Sequence, residues 1–282
     1  MVATHLFQHE PRTRLESRDI GGKLQAQHTP KDNHLLAALP AADYQRLLPA
    51  LEPVFLPVGR TVHSAGDREK YLYFITAGVV SRFYVMENGA SAVFALTGSE
   101  GVIGVASYMG GESTPSQAEV LSAGHAYRLR ADLLNSEFDR AGPLQHLLLR
   151  YAQFLITQTA QAAACYRHHA VKQQLCRWIL SCIDRLQCDE LLMSQELIAN
   201  MLGVRREGVT EAAGLLQADG LIHYHRGHIH VMDRTKLEAR VCECYSVVKR
   251  EYDRLLSYGP GFAGRDSSTL VRALPLTTAV GY

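Results

Sequence analysis

The chain has 282 residues, 47% of them hydrophobic and 20% charged, with a formal net charge of +1. This is the balance of a globular protein with room for two ordinary domains. No stretch reaches the roughly 18 uninterrupted apolar residues of a spanning helix, and the first 30 residues hold no apolar run fit for a signal peptide, so the reading is cytoplasmic with no membrane partner.

Residues 1–34 and 257–282 are polar and aperiodic and read as a disordered N-terminal tail and a flexible C-terminal tail. Residues 35–142 form the first unit. A short helix entered through Pro40 is expected within residues 35–51. From Val54 to Leu129 short β-prone segments alternate with glycines, which predicts an antiparallel roll or jelly roll. Tyr71 to Met86 is expected to hold two strands turning at Ala77-Gly78, and Glu87-Asn88-Gly89 is a hairpin turn. A helix then starts at Pro143 and runs to about His169, so residues 143–170 form a central element. Leu144, Leu148, Tyr151, Leu155 and Ala162 trace a heptad-like seam on it, beside Leu147 and Phe154; such a stripe can pack on the roll, but the reading favoured is pairing with its own copy in a homodimer.

Residues 171–256 carry the most informative pattern. Ser194 caps a helix running through Leu202, Gly203 breaks it, and a second helix resumes near Arg205 and ends at Asp219-Gly220. Val209, Ala212, Ala213 and Leu216 share one face of that second helix. The opposite face presents Arg206, Glu207, Thr210 and Glu211, with Arg205 adjacent, whose side chains can hydrogen-bond base edges in a major groove. Ile222, Tyr224, Ile229 and Val231 then alternate inward around an Arg226-Gly227 turn, which makes a wing able to lie along phosphates. This is the layout of a winged helix-turn-helix reader of double-stranded DNA. Its charge adds no support, since residues 171–256 hold 12 Lys/Arg and 12 Asp/Glu.

Four histidines decorate the wing. A two-residue turn sets His225 opposite His228 and His223 opposite His230, all on the solvent side. They can approach DNA phosphates, more strongly when protonated, or stay solvated. A Zn²⁺ or Ni²⁺ ion on so open a hairpin would lack tetrahedral closure, and no metal or cofactor is assigned. All six cysteines lie beyond residue 164, without CxxC spacing, and most read as reduced core thiols, with Cys242 and Cys244 set apart. Cys242 and Cys244, two apart on a helix, are expected to point in different directions, which argues against joint metal binding there, and nothing in the spacing supports a redox role.

The order of parts, helix, β-roll, long helix and winged helix, resembles the Crp/Fnr superfamily of bacterial transcription regulators over residues 36 to 256. The carrying residues are Pro57-x-Gly59, Ala65-Gly66-Asp67, Leu72-Tyr73-Phe74-Ile75-x-x-Gly78, Gly89 and Gly104. In the second half they are Gln195-Glu196-x-Ile198-Ala199-x-x-Leu202-Gly203, Arg206-Glu207-x-Val209 and Gly220-Leu221-Ile222. The resemblance implies an α+β chain whose base-reading Arg and Glu fall on Arg206 and Glu207, and it implies contact with RNA polymerase. A further base-reading Arg of cyclic-AMP-binding members falls on Glu211, which reverses the charge, so their DNA preference does not transfer. Gly208 and Gly214 sit inside the same helix, each at a cost of about 1 kcal/mol relative to Ala.

The resemblance places an effector pocket at Gly104, Val105, Ser116, Gln117 and Thr159. Cyclic-nucleotide binders carry Gly-Glu and then Arg-Ser/Thr-Ala there, whereas this chain has Gly104-Val105 and Ser116-Gln117-Ala118. With carboxylate and guanidinium both missing, a buried cyclic phosphate meets no matched charge, and an unknown small-molecule effector is expected instead. Thr159 either faces the cavity or bonds a helical carbonyl. No Cys precedes Cys165 to hold the iron–sulfur centre of the oxygen-sensing branch, and His63 and His125 are isolated candidates for haem. A signalling adaptor whose winged helix contacts protein is the alternative to a DNA reader. An enzyme is not expected, since P-loop, GxSxG and HExxH motifs are all missing.

Overall fold

The computed structural model describes residues 28–256. The tails expected at 1–27 and 257–282 lie outside the described residues. Two short helices come first, α1 (His34–Ala37) and α2 (Ala41–Leu47), the second entered through Pro40 as its N-cap. Residues 28–34, assigned by the sequence reading to the disordered tail, are instead anchored. The buried Asn33 amide donates to the Ile75 and Gly101 carbonyls at 2.9 and 2.8 Å, while its Oδ1 accepts from Leu35 and Leu36 N–H at 3.1 and 3.2 Å. One side chain thereby caps α1 and pins it to the roll.

The roll is one six-stranded antiparallel sheet built from β1 (Glu52–Leu56), β2 (Thr61–His63), β3 (Tyr71–Val85), β4 (Ser91–Thr97), β5 (Val102–Ile103) and β6 (Gln117–Arg130). Its order is β1-β6-β3-β4, with β2 on β6 and β5 on β3. The expected turn at Ala77-Gly78 is not there. β3 runs on through it, because β6 pairs with it along its whole length and the extra residues are absorbed as bulges between Ile75 and Val80. Gly78, at φ +84°, is one of them, and a Cβ there would lie 2.6 Å from the Ser122 carbonyl oxygen. The Glu87-Asn88-Gly89 turn does close β3 onto β4, with Asn88 Oδ1 accepting from Ala90 N–H at 3.0 Å.

After α3 (Ala131–Phe138) comes the long helix α4 (Pro143–His168), followed by α5 (Val171–Leu186) and a short strand β7 (Glu190–Leu192). Then come α6 (Gln195–Leu202), α7 (Arg206–Ala218), the hairpin β8 (Ile222–His225) and β9 (His228–Val231), and two last helices, α8 (Arg234–Arg240) and α9 (Glu243–Leu256). No helix among the described residues is long and apolar enough to cross a membrane.

Two expectations about this half are corrected. The seam of Leu144, Leu148, Tyr151, Leu155 and Ala162 is not free for a second copy. Leu144, Leu147, Leu148, Tyr151 and Phe154 share a core with the roll and with Leu255 and Leu256, because α9 folds back along α4 and covers that face. The second concerns Cys242 and Cys244. Cys242 lies in the link before α9, not on the helix, and its Sγ comes within 4.8 Å of that of Cys244.

The largest core ignores the expected domain boundary. It joins Val79, Phe83, Val93, Leu96 and Leu121 of the roll to α5, α6, α7 and the wing, so the C-terminal unit is docked on the sheet. The buried Arg185–Glu100 ion pair, 2.7 Å, crosses the same boundary.

Candidate nucleic-acid interface

The helix-turn-helix forms where the sequence places it. Ser194 Oγ accepts from Leu197 N–H at 3.1 Å and caps α6, and Gly203 ends that helix at φ +66°. Leu197, Ile198, Met201 and Leu202 of α6 meet Val209, Ala212, Ala213 and Leu216 of α7 in the core. Full burial of each large aliphatic side chain contributes about 1.5–3 kcal/mol, which fixes the roll angle of α7 and hence what its other face shows. Arg205, Arg206, Glu207, Thr210 and Glu211 are all exposed on that face. Thr210 is partly committed: its hydroxyl lies 2.7 Å from Gln195 Oε1 and 3.1 Å from the Arg206 carbonyl, so it latches α7 to α6 and keeps only acceptor capacity for a partner.

Asp219 at the end of α7 pairs with Lys172 of α5 at 3.0 Å, and that ammonium holds its carboxyl below the usual range. Gly208 and Gly214 are not demanded by packing. A Cβ on Gly208 would reach Val171 at an ordinary 3.9 Å, and one on Gly214 would meet nothing.

The wing has the expected register, with His225 opposite His228 and His223 opposite His230, and all four imidazoles are exposed. Arg226 and Gly227 make the turn at φ +49° and +85°, the pairing of positive angles that a type I′ hairpin requires. β7 was missed from the sequence. It pairs with β9 and makes that strand central, and it brings Glu190 Oε1 to 2.7 Å from His228 Nδ1. Tyr224 donates from its hydroxyl to the Met193 carbonyl at 2.8 Å, and burial pushes its phenol up to about 12. The wing is therefore stapled to α6 through its N-terminal lead.

Each of the five residues of the expected effector pocket has its own local surroundings. Gly104, at φ +109°, packs against β3, where a Cβ would lie 2.7 Å from the Tyr71 carbonyl oxygen. Val105 is buried in a single 3₁₀ turn, Ser116 Oγ pairs with Thr114 Oγ1 at 3.0 Å, and Gln117 opens β6. Thr159 bonds the Leu155 carbonyl at 2.9 Å, the helical alternative. None of the five lines either of two cavities among the described residues. One, about 430 Å³, is bordered by His63, Glu69 and Tyr71. The other, about 310 Å³, lies where β4, α4, α5 and α9 meet and is lined by Gln158, Arg177, Trp178 and Tyr252 among others.

The roll also hides charges that sequence reading passed over. Arg82 on β3 is buried and donates to the Val102 carbonyl at 2.9 Å. Glu69 is buried, accepts from Ala106 N–H at 2.8 Å and lies 3.5 Å from His63 Nδ1. Burial, helped by Arg82, lowers the His63 imidazole to about 4, and burial raises the Glu69 carboxyl. Only a tertiary map puts Glu69 on the turn after Gly104.

A sheet roll that leads through a long helix to a winged helix-turn-helix with an exposed polar face is the architecture of a transcription regulator. Residues 53–141 match the cyclic nucleotide-binding domain family and residues 173–240 the Crp-like helix-turn-helix domain family, together more than half of the chain. The chain belongs to the Crp/Fnr family of transcription regulators, a family of DNA-binding proteins and not of enzymes. Comparison with curated protein sequences returns no match. Similar solved structures include a Crp/Fnr-family regulator from Eubacterium rectale, with TM-score 0.60 and 16% identity over 73% of this chain and 96% of that one. Another is the c-di-GMP responsive global regulator CLP of Xanthomonas campestris, at 0.59 and 17% over 69% and 100%. FixK2 of Bradyrhizobium japonicum gives 0.58 and 16% over 68% and 98%. At these identities the likeness is one of fold.

Proposed function

We propose that this protein is a homodimeric, sequence-specific transcription regulator that reads double-stranded DNA through the first turns of α7. Arg206 and Glu207 contact base edges, with Arg205, Thr210 and Glu211 beside them, while Arg226, His225 and His228 of the wing lie near phosphates. The observation that carries this reading is the exposure of Arg206 and Glu207 on a helix whose other face is wholly committed to the core. Contact with RNA polymerase follows from family membership as part of the same reading.

The dimer uses the face of α4 that α9 leaves open. Leu149 and Ile156 are exposed there, and with His146, Gln153, Ala160, Ala163 and Arg167 they repeat at alternating steps of three and four, the spacing of a coiled-coil seam. Small residues at 160 and 163 allow close helix approach toward the end nearer the reader.

The effector is a small molecule other than a cyclic nucleotide held in the usual way. The Glu69 carboxylate already accepts an N–H of the turn after Gly104, so an incoming phosphate would face a like charge where helix-start amides could otherwise receive it. Isothermal titration with cyclic AMP is expected to show no micromolar binding.

Selection of bound sites from random duplex DNA tests the whole proposal and should enrich a palindrome. Arg206→Ala should lower affinity for the selected site by about 1–3 kcal/mol. The neutral charge of residues 171–256 favours one competing reading, an adaptor with a protein partner. A regulator loses duplex affinity steeply as salt rises, and an adaptor shows no such slope.

A further inference from the structure

Cys165 occupies the last turn of α4, and His169 is its C-cap. Some 75 residues later the chain returns to the same spot with Cys242 and Cys244, flanking the start of α9. The four ligand atoms all lie within 4.8 Å of one another. Cys165 Sγ is 3.6 Å from Cys242 Sγ, and Cys244 Sγ is 3.5 Å from His169 Nδ1. A tetrahedron with Zn–S of about 2.3 Å and Zn–N of about 2.0–2.1 Å has edges of about 3.8 Å between sulfurs and about 3.5 Å between sulfur and nitrogen. The sulfurs of Cys165 and Cys242 are thus at ligand spacing, far beyond the roughly 2.05 Å of a disulfide.

The surroundings match a metal centre as well. His169 turns Nδ1 to the thiols and Nε2 to the Glu243 carboxylate at 3.3 Å, the arrangement by which a carboxylate fixes the tautomer and orientation of a ligating imidazole. Gln161 donates to Cys244 Sγ at 3.1 Å. The Arg177 guanidinium, buried on α5, faces Cys165, and its Nε and Nη2 have no hydrogen-bond partner among the described residues. Three thiolates around a divalent ion leave one net negative charge, and Arg177 is positioned to balance it. All three cysteines are buried, so the set is closed, as in structural zinc sites.

We propose that Cys165, His169, Cys242 and Cys244 form a tetrahedral zinc site that ties the end of α4 to the start of α9. The site sits at the joint where the long helix hands over to the DNA reader, next to the Ala170 link into α5. Zinc there holds α9 along α4 and sets the angle at which the reader leaves the helix.

The test uses the full chain, purified under reducing, anaerobic conditions without chelators. Elemental analysis should find about one zinc per chain. Cobalt(II) added to the chelator-stripped chain should give a thiolate-to-metal charge-transfer band and the intense visible bands of four-coordination, saturating at one equivalent and abolished by zinc. Glu243→Gln, at an exposed position, should keep the fold and weaken cobalt binding about ten- to hundredfold. Cys244→Ser should diminish the charge-transfer band, whereas Cys188→Ser, at an exposed thiol outside the cluster, should leave it unchanged. A folded, reduced wild-type chain that yields no charge-transfer band overturns the proposal, as does the pale spectrum of six-coordinate cobalt. A Cys165–Cys242 disulfide in the anaerobically purified chain overturns it too. These readouts are independent of DNA binding, so failure of the regulator reading leaves them standing.

Discussion

Gly214 sits mid-helix on α7 with open space where a Cβ would be, so nothing in the fold repays its conformational freedom. Gly214→Ala is expected to raise stability by about 1 kcal/mol, read by urea unfolding. A concurrent loss of duplex affinity would show that DNA backbone approaches that spot. His63 makes a pH prediction with a definite sign. The unfolded chain takes up a proton near the ordinary imidazole value of 6.5, while the folded site resists until about 4 because the ring is buried. The unfolded state therefore binds more protons between those values, so stability is full above pH 6.5 and drains as pH falls, by about 3 kcal/mol in total. Glu69, whose carboxyl is raised by burial, works in the opposite direction. His63→Asn should flatten the decline between pH 7 and 4.5 in urea titrations, and an equal decline in both chains would assign it to other groups.

At the scale of elements, the two faces of α4 divide the work. One face is consumed by the roll and α9, and the other keeps Leu149 and Ile156 in solvent. Ile156→Glu would set two carboxylates against one another across a two-fold axis at the middle of the seam. Sedimentation should then show monomer, since like charges juxtaposed across an interface cost several kcal/mol in association, and binding to a palindromic site should fall while the unfolding midpoint of the single chain stays close to wild type. An unchanged dimer would place the interface elsewhere. The wing shows the same principle in small. β7 gives β9 a partner on each side, which fixes the hairpin plane and the direction of Arg226 more firmly than the two-residue turn could alone.

Across the whole molecule, the reader is welded to the sheet by a shared core and by one buried ion pair. Arg185→Met leaves Glu100 buried without its cation, a loss of about 3–5 kcal/mol. Because the pair spans the two halves, denaturation followed by separate probes, Trp178 fluorescence for the reader and hydrogen exchange at the β3 and β6 amides for the roll, should lose coincidence in this variant. A single coincident transition would show that the shared core alone makes the halves cooperate. Docking of this kind also puts β4 directly against α6: Ser91 Oγ donates to the Asn200 carbonyl at 3.3 Å.

The amino-acid sequence by itself determined the helix-turn-helix, the wing and its register, and the extent of α4. Those features rest on local rules: a Ser cap, a Gly at positive φ, apolar residues at helical spacing, a two-residue turn between alternating strands. It likewise showed which residues α7 would expose, because burying Val209, Ala212, Ala213 and Leu216 leaves no other face for Arg206 and Glu207. The tertiary structure alone decided which stripe of α4 meets the rest of its own chain, since Leu144 and Leu149 are equally apolar and only the return of α9 distinguishes them. It also decided that β3 passes through Gly78, which local turn chemistry argues against and a full-length partner strand overrides. The four-residue cluster of Cys165, His169, Cys242 and Cys244 belongs to the same class: its two halves are separated by the entire reader, so no spacing rule links them, and their meeting is a product of chain reversal over long distance.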